Sequence, residues 1–230
     1  MESVLAMIDA LPDNLAQSDN PFWQFSLSVY GSEGVAPACL ALQDKHGLDV
    51  NMLLFACWAG FCGHRFSEDE LVRVCREAKA WKEAVVQPLR SVRRWIKAQD
   101  PEALPKGAMA LRDDIKLQEL HAEALQQHYL HALMPLMPPE PECEESVEVA
   151  TPIKASPLQP LGDLFSRLWE RPKTLEAKKS SAAFASANML DYLRAEGVVG
   201  LDTTDAADLA AILRGGFPEV PPLEAVWLFE

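Results

Sequence analysis

Apolar residues dominate three short segments near the start of the chain, and each carries the signals that begin or end a helix. Asn20 followed by Pro21 is typical of an N-cap and the first helical position, so the segment PFWQFSLSVY predicts a helix. The segment VAPACLALQDKHG predicts a second helix that ends at Gly47, and DVNMLLFACWAGFCG predicts a third, capped by Asp49. Because apolar side chains cover most faces of these helices, we expect them to form the densest core.

A long amphipathic helix is predicted after the third segment. Ser67 and Glu70 have the spacing of a capping box, which favours a helix start. Apolar positions then recur three and four residues apart, as they do on one face of a helix. These positions are Leu71, Val74, Ala78, Trp81, Val85, Leu89, Val92 and Ile96. Pro88 removes one backbone N–H in the middle, so we expect a kink there.

Further helices are predicted on both sides of a proline-rich stretch. The first extends from about 104 to 134, and its apolar face is predicted to consist of Leu111, Ile115, Ala122, Leu125, Tyr129 and Ala132. Later helices are predicted over 161–169, 175–196 and 205–214. Convincing strand pairs are absent from the pattern, so we expect an all-α fold, an irregular helical bundle.

The composition divides the chain into three parts. Residues 135–160 contain seven prolines and five acidic residues, a composition that favours a disordered linker over a packed core. Residues 1–134 are then a helical domain, and residues 161–230 a smaller helical segment with a Pro- and aromatic-rich tail. An alternative is that 161–230 packs onto the first domain and serves only its structure.

The net charge of −13 narrows the classes of partner. An excess of acid opposes general nucleic-acid binding and docking on anionic lipid, both of which need Lys and Arg. The longest apolar run, 52–62, is too short to cross a membrane, and the N-terminus lacks the basic segment of a secretory signal. Five sparse cysteines are typical of free thiols in a reducing compartment. We therefore expect a cytoplasmic protein that does not bind membranes.

Several motifs between about residue 20 and residue 98 together resemble a known group of proteins. They are FWxFSLxVY, CLxLQDxxGxDVN, an apolar LLF stretch with Trp58 and Gly60, and WxxxVVxPLRxxRR. The combination resembles a bacterial conserved-hypothetical family of small helical proteins, catalogued as a domain of unknown function. The resemblance implies a cytoplasmic all-α protein and supplies no reaction.

The sequence lacks the common catalytic motifs. It contains no phosphate-binding Gly-rich loop, no GxSxG and no HExxH. Two groups of potential metal ligands have spacings unlike those of known sites: Cys57, Cys62 and His64, and also His121, His128 and His131. We therefore expect no catalytic residue, no metal and no cofactor, and a binding protein is favoured over an enzyme.

The second half of the long helix is rich in cations. Residues 84–99 contain no acid, and the cations near Trp95 are Arg90, Arg93, Arg94 and Lys97. This number exceeds what the C-terminal end of a helix dipole needs, so we expect an acidic partner. The partner is an unidentified protein, the chain's own linker or a phosphate-bearing ligand. Trp227 and Phe229 form a second candidate contact. The alternative is a solvated basic face.

A polar group beside the apolar third helix is a candidate pocket. Its residues are Gln43, Asp44, Asp49 and Asn51, with His64 added. A carboxylate beside apolar residues has a raised pKa and can act as a base, although helix capping also explains Asp49. The leading hypothesis is a non-enzymatic interaction or adaptor module, and the alternative is a small-ligand-binding protein or enzyme with this pocket.

Overall fold

The computed structural model describes residues 18–137 and 175–229, which form helices and no strand. The all-α prediction is therefore confirmed for the described residues. The helices are α1 (Pro21–Tyr30), α2 (Val35–His46), α3 (Val50–Phe61), α4 (Glu68–Trp81), a π-helical turn (Lys82–Val86), α5 (Gln87–Lys97), α6 (Ala108–Leu133), α7 (Leu175–Ala195), α8 (Thr203–Gly216) and α9 (Pro222–Trp227).

Local side-chain caps fix the ends of the first helices, as the sequence predicts. The Asn20 side chain accepts a hydrogen bond from the backbone N–H of Trp23 at 2.9 Å, which starts α1. Asp49 caps α3 by accepting from the N–H of Asn51 at 3.0 Å. Gly47 ends α2 with a φ of 69°, a left-handed conformation that glycine adopts without strain. The capping box that begins α4 is also present.

Helix α3 lies at the centre of the core. Among the described residues, its contact with α7 is the most extensive contact between two helices. Every residue from Asn51 to Phe61 is buried. At the crossing, a Cβ added to Gly60 would lie 2.2–2.5 Å from the backbone and Cβ of Ala185. Only a residue without a side chain at position 60 lets the two helices come this close.

Polar side chains of α7 tie the loops at both ends of α3. The fully buried Asn188 accepts hydrogen bonds from the backbone N–H of Phe66 and the guanidinium of Arg65, both at 2.9 Å. The Tyr192 hydroxyl accepts from the backbone N–H of Asp49 at 2.8 Å. These hydrogen bonds replace the ones that the buried backbone groups would otherwise form with water.

The described helices after residue 175 share one apolar core with the first helices. Met189 of α7, Leu209 of α8 and Phe217 are buried in the same cluster as Phe22 and Phe55. Within the described residues, the two segments therefore pack against each other in one apolar core. The domain boundaries stay a prediction, since most of the linker and the helix predicted over 161–169 lie outside the described residues.

The predicted kink at Pro88 takes the form of the π-helical turn. Proline has no N–H to give to the carbonyl four residues earlier, and just before it the N–H of Gln87 bonds to the carbonyl of Lys82, five residues back. The wider turn inserts one residue and shifts the buried face by one position. Val86 and Arg90 are consequently buried where Val85 and Leu89 were predicted.

The prediction of the buried face of α6 is wrong except at Ala122, which is buried. Leu111, Leu125 and Tyr129 of the predicted apolar face are 39–53% exposed. The other buried residues are Glu119, Ala124, Gln126, Gln127 and Leu130. Helix α6 therefore turns charged and amide side chains inward. The hydrogen bonds described below offset the free-energy cost of burying them.

Candidate functional site

A cavity of about 300 Å³ lies between α1, α2, α3, the π-helical turn, α5 and α6. We call it the central cavity. Its apolar and aromatic lining residues are Trp23, Leu27, Tyr30, Leu40, Val50, Leu54, Val86 and Leu120. Its polar lining residues are Ser26, Gln43, Asp44, Asp49, Asn51, Lys82, Arg90, Arg93, Arg94, Glu119, Glu123, Gln126 and Gln127. An apolar pocket with a few convergent polar groups is the usual form of a small-molecule site.

Two arginines of α5 and two glutamates of α6 build the charged wall of the central cavity. Arg90 Nε donates to Glu119 Oε1 at 2.7 Å, and Arg90 Nη2 donates to Glu123 Oε1 at 2.5 Å. Arg93 donates to both oxygens of Glu119, at 2.5 and 3.1 Å. Glu119 thereby accepts from both guanidiniums, from Arg90 through one bond and from Arg93 in the bidentate geometry that arginine favours. The arrangement fixes the α5 and α6 side chains relative to each other.

A chain of amide side chains continues this wall towards α3. Gln126 Nε2 donates to Asp49 Oδ2 at 2.7 Å and to the carbonyl of Ala78 at 3.2 Å. Asn51 Nδ2 donates to Gln126 Oε1, and Gln127 Nε2 donates to Asn51 Oδ1, both at 2.7 Å. Because the Ala78 carbonyl can only accept, it fixes which end of each amide donates. The chain therefore ends with Gln127 Oε1 as an acceptor.

Two buried polar atoms of the cavity residues have no hydrogen-bond partner among the described residues. They are Gln127 Oε1 and Ser26 Oγ, on side chains that are 4% and 2% exposed. An unpaired buried polar atom costs about 1–3 kcal/mol, so native proteins leave few of them. Protein encloses both atoms.

Titration at the central cavity is shifted towards protonated forms. Burial raises the pKa of Glu123 to about 7, with Glu119 and Asp49 raising it further and Arg90 opposing them. Burial likewise raises the pKa of Asp49, and it raises that of Tyr30 to about 12. Glu119 differs: burial raises its pKa, but the bonds from Arg93 and Arg90 outweigh this and lower it. The arginines thus keep Glu119 ionised, whereas burial favours the protonated forms of Glu123 and Asp49.

The structure brings together the two sets of residues that the sequence treats as alternatives. The predicted pocket residues Gln43, Asp44, Asp49 and Asn51 line the central cavity, and so do Arg90, Arg93 and Arg94 of the predicted basic patch. Arg90 is 8% exposed and Arg93 half-buried, so their acidic partners are the α6 glutamates. Arg94 is exposed and lies 4.0 Å from Asp44 at the rim. The predicted contact with the linker lies outside the described residues.

The remaining predicted site residues lie away from the central cavity. His64 pairs with Glu70 at 3.1 Å in the loop before α4. Phe229 is 5% exposed and belongs to the core, which withdraws it from any partner surface, whereas Trp227 is 66% exposed. Trp95 and Lys97 are exposed near the end of α5.

The histidines and cysteines that were considered as metal ligands do not form a common site among the described residues. Among the described residues no group of three His, Cys, Asp or Glu side chains could hold a metal ion. His128 contacts Ser18 and His131 contacts the carbonyl of Leu136. The four described cysteines are free thiols, and burial raises the pKa of Cys39 and Cys75 to about 12. No helix of the described ranges has the length and apolar character needed to span a membrane.

Sequence reasoning missed the contribution of α6 to the site. Glu119, Glu123, Gln126 and Gln127 recur at helical spacing, four, seven and eight residues after the first. That spacing marks one face of a helix, and two adjacent glutamines on it are a signal for buried hydrogen bonds. The apolar pattern on the neighbouring face concealed it.

Residues 21–130 match the family DUF2390, described as "Protein of unknown function". This stretch contains α1 to α5, most of α6 and every residue that lines the central cavity. The resemblance predicted over about 20–98 is confirmed and extends to residue 130. Comparisons with curated proteins and with solved structures found no match. The bacterial and cytoplasmic assignments stay predictions.

Proposed function

We propose that this DUF2390 protein binds a small molecule in the central cavity. The observation that carries the proposal is a cavity of about 300 Å³ whose lining joins apolar and aromatic side chains to Glu123, a carboxylate whose Oε2 has no partner among the described residues. The apolar residues of α1 and α3 supply contact area. Such a site has the volume of a metabolite-sized ligand.

A mouth-blocking variant tests the proposal. Leu40 lines the central cavity and is 49% exposed, so Leu40→Trp places an indole at the entrance without disturbing the core. Leu125 of α6 is 40% exposed and does not line the cavity, so Leu125→Trp is the matched control. In a thermal-shift screen of small metabolites, we expect ligands that stabilise the wild type and Leu125→Trp but not Leu40→Trp. If every stabilising compound acts equally on both variants, the cavity is not the site.

A partner-binding surface is the second candidate function. Trp95 is 61% exposed and Val92, three residues earlier on the same face of α5, is 47% exposed, with Lys97 close by in sequence. Exposed aromatic and basic residues together are typical of contact sites between proteins. Trp95→Ala should remove captured partners that Leu111→Ala, at another exposed apolar position, retains. Equal capture by both variants contradicts this surface.

A further inference from the structure

We propose that the ligand of the central cavity is a small organic cation, a protonated amine attached to an apolar body. This inference rests on the proposed function, because it specifies the chemistry of a ligand in the same cavity. The argument uses three features of the lining: an open acceptor, the charges around it and its aromatic residues.

An open acceptor of the lining belongs to Glu123. It receives one hydrogen bond, at Oε1 from Arg90, while its Oε2 has no partner among the described residues, and its side chain is 31% exposed. Gln127 Oε1 and Ser26 Oγ also lack partners, but protein encloses both atoms. A protonated amine carries up to three N–H donors and no acceptor, which complements the free carboxylate oxygen.

The charges around Glu123 favour a positive ligand. The lining has four carboxylates and four cations, which are Asp44, Asp49, Glu119 and Glu123, and Lys82, Arg90, Arg93 and Arg94. Arg94 lies beside Asp44, and Lys82 lowers the pKa of Asp49. Arg93 binds Glu119, and Glu123 shares Arg90 with Glu119, so Glu123 has only part of one guanidinium. A ligand ammonium would complete the neutralisation of Glu123, whereas a ligand carboxylate would compete with Glu119 for arginines that it already holds.

The apolar residues of the lining suit the rest of such a ligand. Trp23 and Tyr30 bring aromatic rings, and Leu27, Leu54 and Leu120 bring apolar surface. Aromatic rings attract cations through their faces, and the apolar surface takes the hydrocarbon body of an amine. The carboxylate thus recognises the charge of the ligand, and the apolar residues recognise its body.

Three probes that share a phenylethyl body separate the possibilities: 2-phenylethylamine, 3-phenylpropanoate and 2-phenylethanol. Binding is measured by calorimetry at about pH 8, where a primary amine is still protonated and Glu123 is mostly ionised. We expect the amine to bind the wild type at least tenfold more tightly than the alcohol and the carboxylate.

Substitutions at the wall locate that preference. Glu123→Gln keeps the shape and should raise the Kd of the amine at least tenfold while changing that of the alcohol less than twofold. Glu123→Asp is the second variant; it keeps the charge but withdraws the carboxylate by one carbon, and it should raise the Kd of the amine about threefold. Glu83→Gln, at a 65% exposed residue of the π-helical turn outside the cavity, should leave both values unchanged. Thermal unfolding of each variant confirms that it folds.

The outcomes separate this inference from the proposed function. Tighter binding of the carboxylate, lost in Leu40→Trp, overturns the amine and retains the cavity as a ligand site. Absence of amine binding overturns the amine as well, and the screen with Leu40→Trp then decides whether the cavity binds any ligand. Equal loss of amine and alcohol binding in Glu123→Gln overturns the role of the charge.

Discussion

Helices α3 and α7 pack through small and apolar side chains, whereas α6 packs against α5 and α3 through charged and amide side chains. At the first interface Gly60 lies against the backbone of Ala185, and the polar residue Asn188 has hydrogen bonds at both ends of its side chain. At the second, Glu119 pairs with Arg90 of α5 and Gln127 with Asn51 of α3, but Gln127 Oε1 has no partner among the described residues. The second interface thus leaves a buried acceptor unpaired, at a cost in free energy.

The largest effect is expected where the polar interface loses its shared partner. Glu119→Ala leaves the buried guanidiniums of Arg90 and Arg93 without the carboxylate that both contact. Removing one member of a buried pair costs about 3–5 kcal/mol, and urea unfolding measures it. Glu83→Ala is the control, since its ion pair with Lys79 is exposed and 3.9 Å long, and it should cost less than about 0.5 kcal/mol. Equal costs would mean that the network contributes little.

The interface between α3 and α7 should respond almost as strongly to a single carbon atom. Gly60→Ala places a Cβ against the backbone of Ala185, which cannot move as a side-chain end can, so we expect a loss of about 3 kcal/mol in the free energy of unfolding. Ala80→Val adds two carbons on the exposed face of α4 and should cost less than about 1 kcal/mol. A mild effect of Gly60→Ala would show that α3 and α7 can separate without penalty.

A pH series separates the two interfaces by their titration. The pKa of Glu123 is raised to about 7 in the folded state, so its contribution to stability is full below its ordinary value of 4.5 and is lost as the pH rises through 7. Between about pH 5 and pH 8, the Tm of Glu123→Gln should therefore fall less than that of the wild type, by about 2–4 °C, the shift caused by about 1 kcal/mol in a chain of this size. Glu83→Gln should follow the wild type, and parallel curves for all three proteins would contradict the shifted pKa.

The smallest effect on stability is expected at Ser26. Its Oγ is buried and has no partner, so Ser26→Ala should leave the free energy of unfolding within about 0.5 kcal/mol of the wild type or raise it. Ser186 of α7 is buried as well, but its Oγ donates to the carbonyl of Ala183 at 3.0 Å, so Ser186→Ala should cost about 1 kcal/mol. Denaturant unfolding of both variants makes the comparison, and a larger loss for Ser26→Ala would reveal a structural role.

The sequence predicts the helix ends well because the interactions that form them are local. Asn20, Asp49 and the pair Ser67 and Glu70 each act within three residues of their own position. The cavity depends on long-range geometry. Predicting that Arg90 turns inward requires knowing that the turn before Pro88 gains a residue, and a regular periodicity cannot show that. The close approach at Gly60 depends on a helix more than one hundred residues away.

The extra residue in the π-helical turn determines which face of α5 is turned towards α6 and the central cavity. One residue corresponds to a rotation of about 100° around a helix axis. Deleting one residue between Lys82 and Val86 would leave the composition of α4 and α5 almost intact, yet it would turn Arg90 and Arg93 away from α6. The same basic sequence would then form the solvated surface that its composition suggests. Relatives with and without this insertion would differ in site architecture while differing in length by a single residue.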